Sequence, residues 1–268
     1  MHPYLFTIGR FRLATYGVLV ALGYLAALFY ARTNARRIAF DEEQFWDMFA
    51  ALIIGAVMGG KILYAVLFWH GFGDSFFGRL WGVLRDFRSG FVYLGGLAGA
   101  ISVGYWYLRK NAIEFFSTAD MLAPAIALGH AIGRIGCFMA GCCYGLPTSG
   151  RFGVVFNDPD CLVPSYYLGV PLHPVQLYES VCNLLLFLAL HRMFLAREKF
   201  RKGAVFMAYA CGYALVRFSL EFLRGDERGG FFLWLSPSQW GAVAMLIVCV
   251  LYHDKLPQRS TENAGKKI

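Results

Sequence analysis

Three cations, Lys61, Arg134 and Arg217, fall inside stretches that are otherwise apolar. A charge at the centre of a bilayer costs about 2.5–3.5 kcal/mol on insertion scales, so such residues are paired, wetted by a cavity, or functional. Arg217 and Glu221 stand four apart, share a helix face and can pair. The plain reading is a structural ion pair. The chemical reading is that the pair lines a polar cavity and orients a substrate group. Arg134 lies in Gly133-Arg134-Ile135-Gly136-Cys137-Phe138. Its flanking glycines let a ligand or another backbone come close. Its planar fork of donors suits a phosphate, which in a bilayer belongs to a lipid head group. A snorkelling arginine near a helix end is the plainer alternative.

A second polar group, His173-Pro174-Val175-Gln176-Leu177-Tyr178-Glu179, opens a later apolar stretch. Proline suits a helix start, but the run holds more polar side chains than a cap requires. His173 can titrate near neutral pH, or act as a hydrogen-bonding scaffold. Glu179 is expected to face the bundle interior, because lipid contact would be costly. Of the seven cysteines, Cys182, Cys211 and Cys249 read as small apolar residues. Cys137, Cys142 and Cys143 lack the usual zinc-ligand spacing and have no His-rich partner loop, so no metal is expected. His130 could join Cys137 and Cys142, the weaker alternative. A pairing of Cys161 with Cys142 or Cys143 is left open. No Gly-x-Ser-x-Gly, His-Glu-x-x-His or P-loop pattern is present.

The elements that must position these groups are helices in lipid. The chain of 268 residues is 58% hydrophobic and only 16% charged, against about a quarter charged for soluble domains. A crossing helix needs about 20 apolar residues, and a lipid-exposed backbone must satisfy its own hydrogen bonds. Seven segments are expected to span, at 13–31, 45–69, 90–108, 119–140, 174–194, 204–223 and 237–252. Glycine clusters at Gly55, Gly59 and Gly60 and at Gly95, Gly96 and Gly99 allow close helix contact. The fold class is therefore an all-α integral membrane protein with seven transmembrane helices. Residues 1–256 form a single polytopic domain, and 257–268 a polar cytoplasmic tail.

Basic residues set the orientation. One side carries Arg32, Arg36, Arg37, Arg109, Lys110, Arg192, Arg197, Lys199, Arg201, Lys202, Lys255, Arg259, Lys266 and Lys267. The other carries fewer: Arg10, Arg12, Arg79, Arg85, Arg88, Arg151, Arg224 and Arg228. The first side is read as cytoplasmic. The N-terminus then lies outside, the C-terminus in the cytoplasm, and the loops 71–89, 145–173 and 225–236 face the periplasm. No cleavable signal segment is visible, so the first span is expected to direct insertion. The net charge of +8 fits flanks that meet anionic lipid. Nucleic acid is not an expected partner, because no soluble basic domain exists.

With these residues in view, the run from Gly133 through Cys137, Cys142, Cys143 and Tyr144 to Gly145 closely resembles the signature of bacterial prolipoprotein diacylglyceryl transferases. Other pieces follow in the family's order. They are Ala14-Thr15-Tyr16-Gly17, Gly59-Gly60-Lys61-Ile62-Leu63-Tyr64, Gly95-Gly96-Leu97-Ala98-Gly99, the His173–Glu179 run, and Arg217-Phe218-Ser219-Leu220-Glu221-Phe222-Leu223-Arg224. The resemblance implies a multi-pass enzyme of the bacterial inner membrane that needs no cofactor. Its donor would be phosphatidylglycerol, and its acceptor the lipobox cysteine thiol of preprolipoprotein signal peptides. The diacylglyceryl group moves to sulphur and glycerol phosphate leaves.

The resemblance also implies roles. Arg134 would hold the lipid phosphate, and Arg217, Glu221 and Tyr16 would be essential. His173, Gln176, Glu179, Lys61, Gly95, Gly96 and Gly145 would line the substrate sites. Two departures stand out. Leu94 occupies a place where many members carry a histidine. The signature turn reads Ala140-Gly141-Cys142 rather than Asn-Gly-Glu, with Cys137 in place of asparagine. The base that takes the thiol proton is thus open among His173, Glu221, Tyr16, Tyr93 and the phosphate itself. A membrane lipid-binding protein, or a related transferase with a different acceptor, is the alternative.

Overall fold

A computed structural model describes residues 2–9, 11–85, 90–226, 230 and 232–258. Arg10, Arg88, Arg228 and the tail from Arg259 onward, all used in the charge argument, lie outside the described residues, as do parts of the loops 71–89 and 225–236. The seven apolar stretches all contain helices. These are α1 (Thr15–Ala35), α2 (Glu42–Leu67), α4 (Tyr93–Lys110), α5 (Phe115–Ala140), α6 (Val175–Leu195), α7 (Ala204–Glu221) and α8 (Pro237–Tyr252). Four segments are long and apolar enough to cross a membrane: Thr15–Ile38, Glu42–Leu67, Phe115–Ala140 and Val175–Leu195. Helices α4 and α7 have 18 residues each and α8 has 16. At 1.5 Å per residue they reach about 24–27 Å, just short of the roughly 30 Å hydrocarbon core.

The chain is mostly helical, as an all-α membrane fold requires, and two short two-stranded pairings accompany the helices. A hairpin of β1 (Tyr4–Ile8) and β2 (Phe11–Ala14) precedes α1, and β3 (Val154–Val155) pairs with β4 (Pro171–Leu172) in the α5–α6 connection. Outside the helices the backbone still needs partners, and these short apolar runs are too brief to find them within a helix. A further helix, α3 (Phe76–Arg85), lies in the loop expected at 71–89. Phe76, Phe77, Leu80 and Trp81 are exposed on it, the pattern of a helix lying in the membrane interface.

The helix ends carry local signals. Asp41 caps α2 by accepting from the Glu43 N–H at 3.1 Å. Ser236 and Gln239 close a capping box on α8, with Pro237 in its first turn. Helix α7 is capped from another helix: buried Asp120 on α5 accepts from the N–H of Gly203 at 2.8 Å and of Phe206 at 3.0 Å.

The chain divides into two compact units, residues Met1–Asn34 with Ala119–Ile268, and residues Ala35–Thr118. In the second unit α2 and α4 meet on glycine. A Cβ at Gly59 would fall on the Gly95 carbonyl oxygen, one at Gly99 on that of Gly55, and one at Gly96 would lie 3.1 Å from the Ala56 oxygen. Gly95 and Gly96, expected to line a substrate site, here let two backbones touch. Lys61 is buried in the same unit, its Nζ 5.3 Å from the Tyr64 ring and 5.8 Å from that of Phe91.

In the first unit α1 approaches α5 closely, with Gly23 against the Gly129 carbonyl. Ser180 on α6 donates to the Ala131 oxygen of α5 at 2.7 Å. The α5–α6 connection has a small core of its own, formed by Tyr144, Phe156, Cys161, Val163 and Leu172.

Candidate active site

The ends of α5 and α7 and the start of α6 bring the charged residues of the first unit together. Arg134 Nη2 lies 2.7 Å from Glu179 Oε1, and both residues are buried. The snorkelling alternative for Arg134 therefore fails: its head is inside the bundle. Its fork is also not wholly free for a phosphate, since one arm is held by Glu179. Its Nε is buried with no hydrogen-bond partner among the described residues. His130, one turn earlier on α5, places Nε2 3.4 Å from Glu179 Oε1.

The expected Arg217–Glu221 pair forms, with Nη2 and Oε2 2.7 Å apart. Glu221 Oε1 accepts from the hydroxyls of Ser236 at 2.7 Å and Ser238 at 2.5 Å, which tie it to the start of α8. Arg224, placed by the charge argument among exposed loop cations, is instead buried. It donates through Nε and Nη2 to both carboxylate oxygens of Asp226, each at 2.9 Å. It also approaches Glu221 at 3.8 Å and Glu179 at 3.9 Å. Against the effect of burial, the carboxylate of Asp226 and the nearby Cys143 sulphur hold its guanidinium above its ordinary pKa.

Three arginines, Arg134, Arg217 and Arg224, thus interleave with Glu179, Glu221 and Asp226. Such a network survives burial only because each charge has a partner. Sequence reasoning missed Arg224, although its spacing of three from Glu221 was a visible signal.

The remaining expected residues divide. Gln176 is buried and donates through Nε2 to the Cys142 carbonyl at 2.7 Å, so it holds the signature turn. Its Oε1 is buried with no hydrogen-bond partner among the described residues. Gly145 lies where three segments cross. Its N–H donates to the His173 carbonyl at 3.0 Å, and it forms a bridge with Arg224. A Cβ at Gly145 would sit 2.5 Å from the His173 oxygen. His173 has Tyr178 Oη 3.4 Å from its Nδ1. Tyr16, half exposed on the first turn of α1, lines a cavity of about 210 Å³ with Pro3, Tyr4, Ala14, Ala140, Cys142, Asp160 and Leu162. Lys61, Gly95 and Gly96 belong to the other unit.

The cysteines differ most from the sequence reading. None of the seven is in a disulfide, and Cys161 is buried in the loop core. Cys137, Cys142 and Cys143 bring their sulphurs within 4.8 Å of one another. Left-handed backbone at Gly141 (φ 75°) and Cys143 (φ 59°) folds the turn back onto α5. Cys137 Sγ lies 3.9 Å from Arg134 Nη1. Hydrogen bonds from Cys137 and Cys142, with Arg224 beside them, hold the Cys143 thiol below its ordinary pKa.

A profile of the prolipoprotein diacylglyceryl transferase family matches residues 3–253. The phosphatidylglycerol–prolipoprotein diacylglyceryl transferase of Clostridium tetani is 36% identical over 250 residues, 92% of this chain and 95% of that protein. The second such enzyme of Clostridium perfringens is 32% identical over 257 residues, covering 96% of each chain. The enzyme of Geobacter sulfurreducens is 34% identical over 228 residues, 84% of this chain and 83% of its own length. With its motifs in order and a match running almost end to end, the chain belongs to the prolipoprotein diacylglyceryl transferase family.

Proposed function

We propose that this multi-pass membrane protein transfers the diacylglyceryl group of phosphatidylglycerol to the lipobox cysteine thiol of preprolipoprotein signal peptides. This is the first step of bacterial lipoprotein maturation. The acceptor brings its own nucleophile, so the enzyme needs neither a serine nor a cysteine nucleophile. The sulphur attacks the diacylglyceryl carbon. A carbon–sulphur bond forms, the carbon–oxygen bond to phosphate breaks, and glycerol phosphate departs with the electron pair.

The observation that carries this reading is the buried cluster of Arg134, Arg217 and Arg224. Arginines held in place before the reaction stabilise charge developing on the leaving phosphate, by about 3–4 kcal/mol for a well-placed group. Arg134 contacts the donor phosphate through its unpartnered Nε side. Arg217, oriented by Glu221, faces the leaving group. Tyr16 lies on the acceptor side, in the cavity wall. His173, Gln176, Glu179 and Gly145 shape the surroundings.

The topology belongs to the same proposal. Seven helices cross the inner membrane, with the N-terminus outside, the C-terminus in the cytoplasm, and the loops at 71–89, 145–173 and 225–236 on the periplasmic side. An alkaline phosphatase fusion after Lys267 is then inactive; an active one reverses the orientation.

The direct test supplies purified protein with phosphatidylglycerol and a lipobox peptide. The expected product is the peptide heavier by one diacylglyceryl group. Arg134→Ala and Arg217→Ala abolish this gain while the protein still inserts. Full activity in either variant removes that residue from the site. A second reading, transfer to a different acceptor, draws on Leu94 standing where many relatives have histidine. Rescue of cells depleted of their own transferase excludes it.

A further inference from the structure

We propose that Cys137, Cys142 and Cys143 bind a thiophilic divalent cation, zinc in the first instance, whose open fourth position takes the acceptor thiol as thiolate. The catalytic half of this proposal rests on the transferase reading above; the metal site itself does not.

The geometry suits such an ion. Tetrahedral Zn–S bonds of about 2.3 Å place sulphurs roughly 3.8 Å apart. The three sulphurs already lie within 4.8 Å of one another, so small side-chain rotations close the site. They come from two fixed supports. Cys137 sits on the last turns of α5, and Cys142 and Cys143 on a turn pinned by the buried Gln176 through the Cys142 carbonyl. Sulphur donors select zinc or copper(I) over magnesium or calcium. Three thiolates around a divalent ion leave one net negative charge. Arg134, 3.9 Å from Cys137, and Arg224, beside Cys143, are placed to offset it.

A catalytic zinc site keeps one position open, whereas a structural site is closed by four protein ligands. Here Cys142 faces the cavity that Tyr16 also lines, so the open position points into space that a peptide thiol can reach. The transferase reaction needs a thiolate, yet a free thiol of pKa about 8.5 is only a few per cent ionised near neutral pH. The residues lining that cavity include no imidazole. A coordinating thiol loses its proton outright. The acceptor thiol binds the ion and its proton passes to solvent. Its sulphur then attacks the diacylglyceryl carbon, the electron pair of the broken carbon–oxygen bond leaves on glycerol phosphate, and the thioether, a weaker ligand, dissociates. Nothing is oxidised or reduced.

The test uses the full chain, purified in detergent under reducing conditions and loaded with Co²⁺ or Zn²⁺. We expect one Co²⁺ per chain with near-ultraviolet thiolate-to-cobalt absorption. That absorption shifts when a lipobox peptide is added and does not shift with the serine version of the peptide. Cys137→Ser, Cys142→Ser and Cys143→Ser each lose the ion, whereas Cys249→Ser keeps it. Chelation lowers transfer by at least about a hundredfold, the scale of lost base assistance, and Zn²⁺ restores it. Cobalt that binds the wild-type protein without responding to the peptide thiol overturns the open position. Undiminished transfer by metal-free protein, or by the triple serine variant, overturns the proposal and leaves the transferase reading standing. Cobalt that binds and responds in a protein transferring nothing supports the site and sinks the transferase reading instead.

Discussion

Glu179 on α6 holds Arg134 on α5 at 2.7 Å with both residues buried, and the same carboxylate reaches toward Arg224 at 3.9 Å. One glutamate therefore balances two of the three arginines in the site. Removing one partner of a buried pair is costly because the other charge is stranded. Replacing both with apolar groups is far milder.

We expect Glu179→Ala to destabilise the protein by about 3–5 kcal/mol and Arg134→Met by a similar amount. The double change to Arg134→Met with Glu179→Leu should recover part of the stability and none of the transfer. Thermal unfolding in detergent beside the peptide mass assay separates the two effects. A double variant no more stable than the singles would mean the pair is not coupled.

Asp120 caps α7 through two backbone N–H groups. Asp120→Ala should cost about 1–2 kcal/mol, the upper range for a lost cap. Asp120→Asn should cost less, since the amide oxygen can still accept. Hydrogen exchange at Gly203 and Phe206 reports the loss directly, and unchanged protection in Asp120→Ala would refute the cap.

The glycines divide by what surrounds them. At Gly99 a Cβ falls on the Gly55 backbone, whereas at Gly133 nothing lies within 4 Å. Gly99→Ala should destabilise by about 1–3 kcal/mol through overpacking. Gly133→Ala should be neutral or stabilising by up to about 1 kcal/mol, because alanine favours the helix. Lower transfer in a stable Gly133→Ala protein would show that ligand uses the space beside Arg134. Equal melting temperatures for the two variants would contradict the packing account.

Tyr144 titrates late. Burial, with Tyr166 next to it, pushes its hydroxyl from 10.0 up to about 12. A raised pKa means the folded state keeps a proton that the unfolded state gives up. The stability this provides is complete below pH 10 and is lost as pH climbs from 10 to 12. Tyr144→Phe should flatten that alkaline decline, as read from melting temperature against pH. A slope identical to that of the wild type would rule it out.

The sequence was readable where a single periodicity carries the information. Apolar stretches located the helices, and a spacing of four announced the Arg217–Glu221 pair. What escaped depends on contacts between distant segments. Glu179 pairs with a residue 45 positions away, and Asp120 caps a helix more than eighty residues downstream. Asp120 did leave a trace, as a lone acid in an expected span. Arg224 was grouped with loop cations because a charge count cannot see burial. The three thiols were dismissed on spacing, since a linear spacing does not show that left-handed residues at Gly141 and Cys143 turn the chain back on itself. The β1–β2 hairpin and α3 were missed because the search was for lengths that cross lipid.

At Gly145 the segments leaving α5, entering α6 and following α7 are laced together by backbone hydrogen bonds, with no room for even a methyl group. The wall bearing Arg134, Glu179 and Arg224 is therefore a single stiff piece, braced from main chain to main chain. A lipid with two tails is far larger than the roughly 210 Å³ hollow beside Tyr16. The facing side of this hollow is Pro3 and Tyr4 of the N-terminal segment, tied by Thr15 to His2 and Pro3 and by the pairing of Tyr4 with Ala14. In this arrangement the arginines are the anvil, set in the braced wall across from the hairpin.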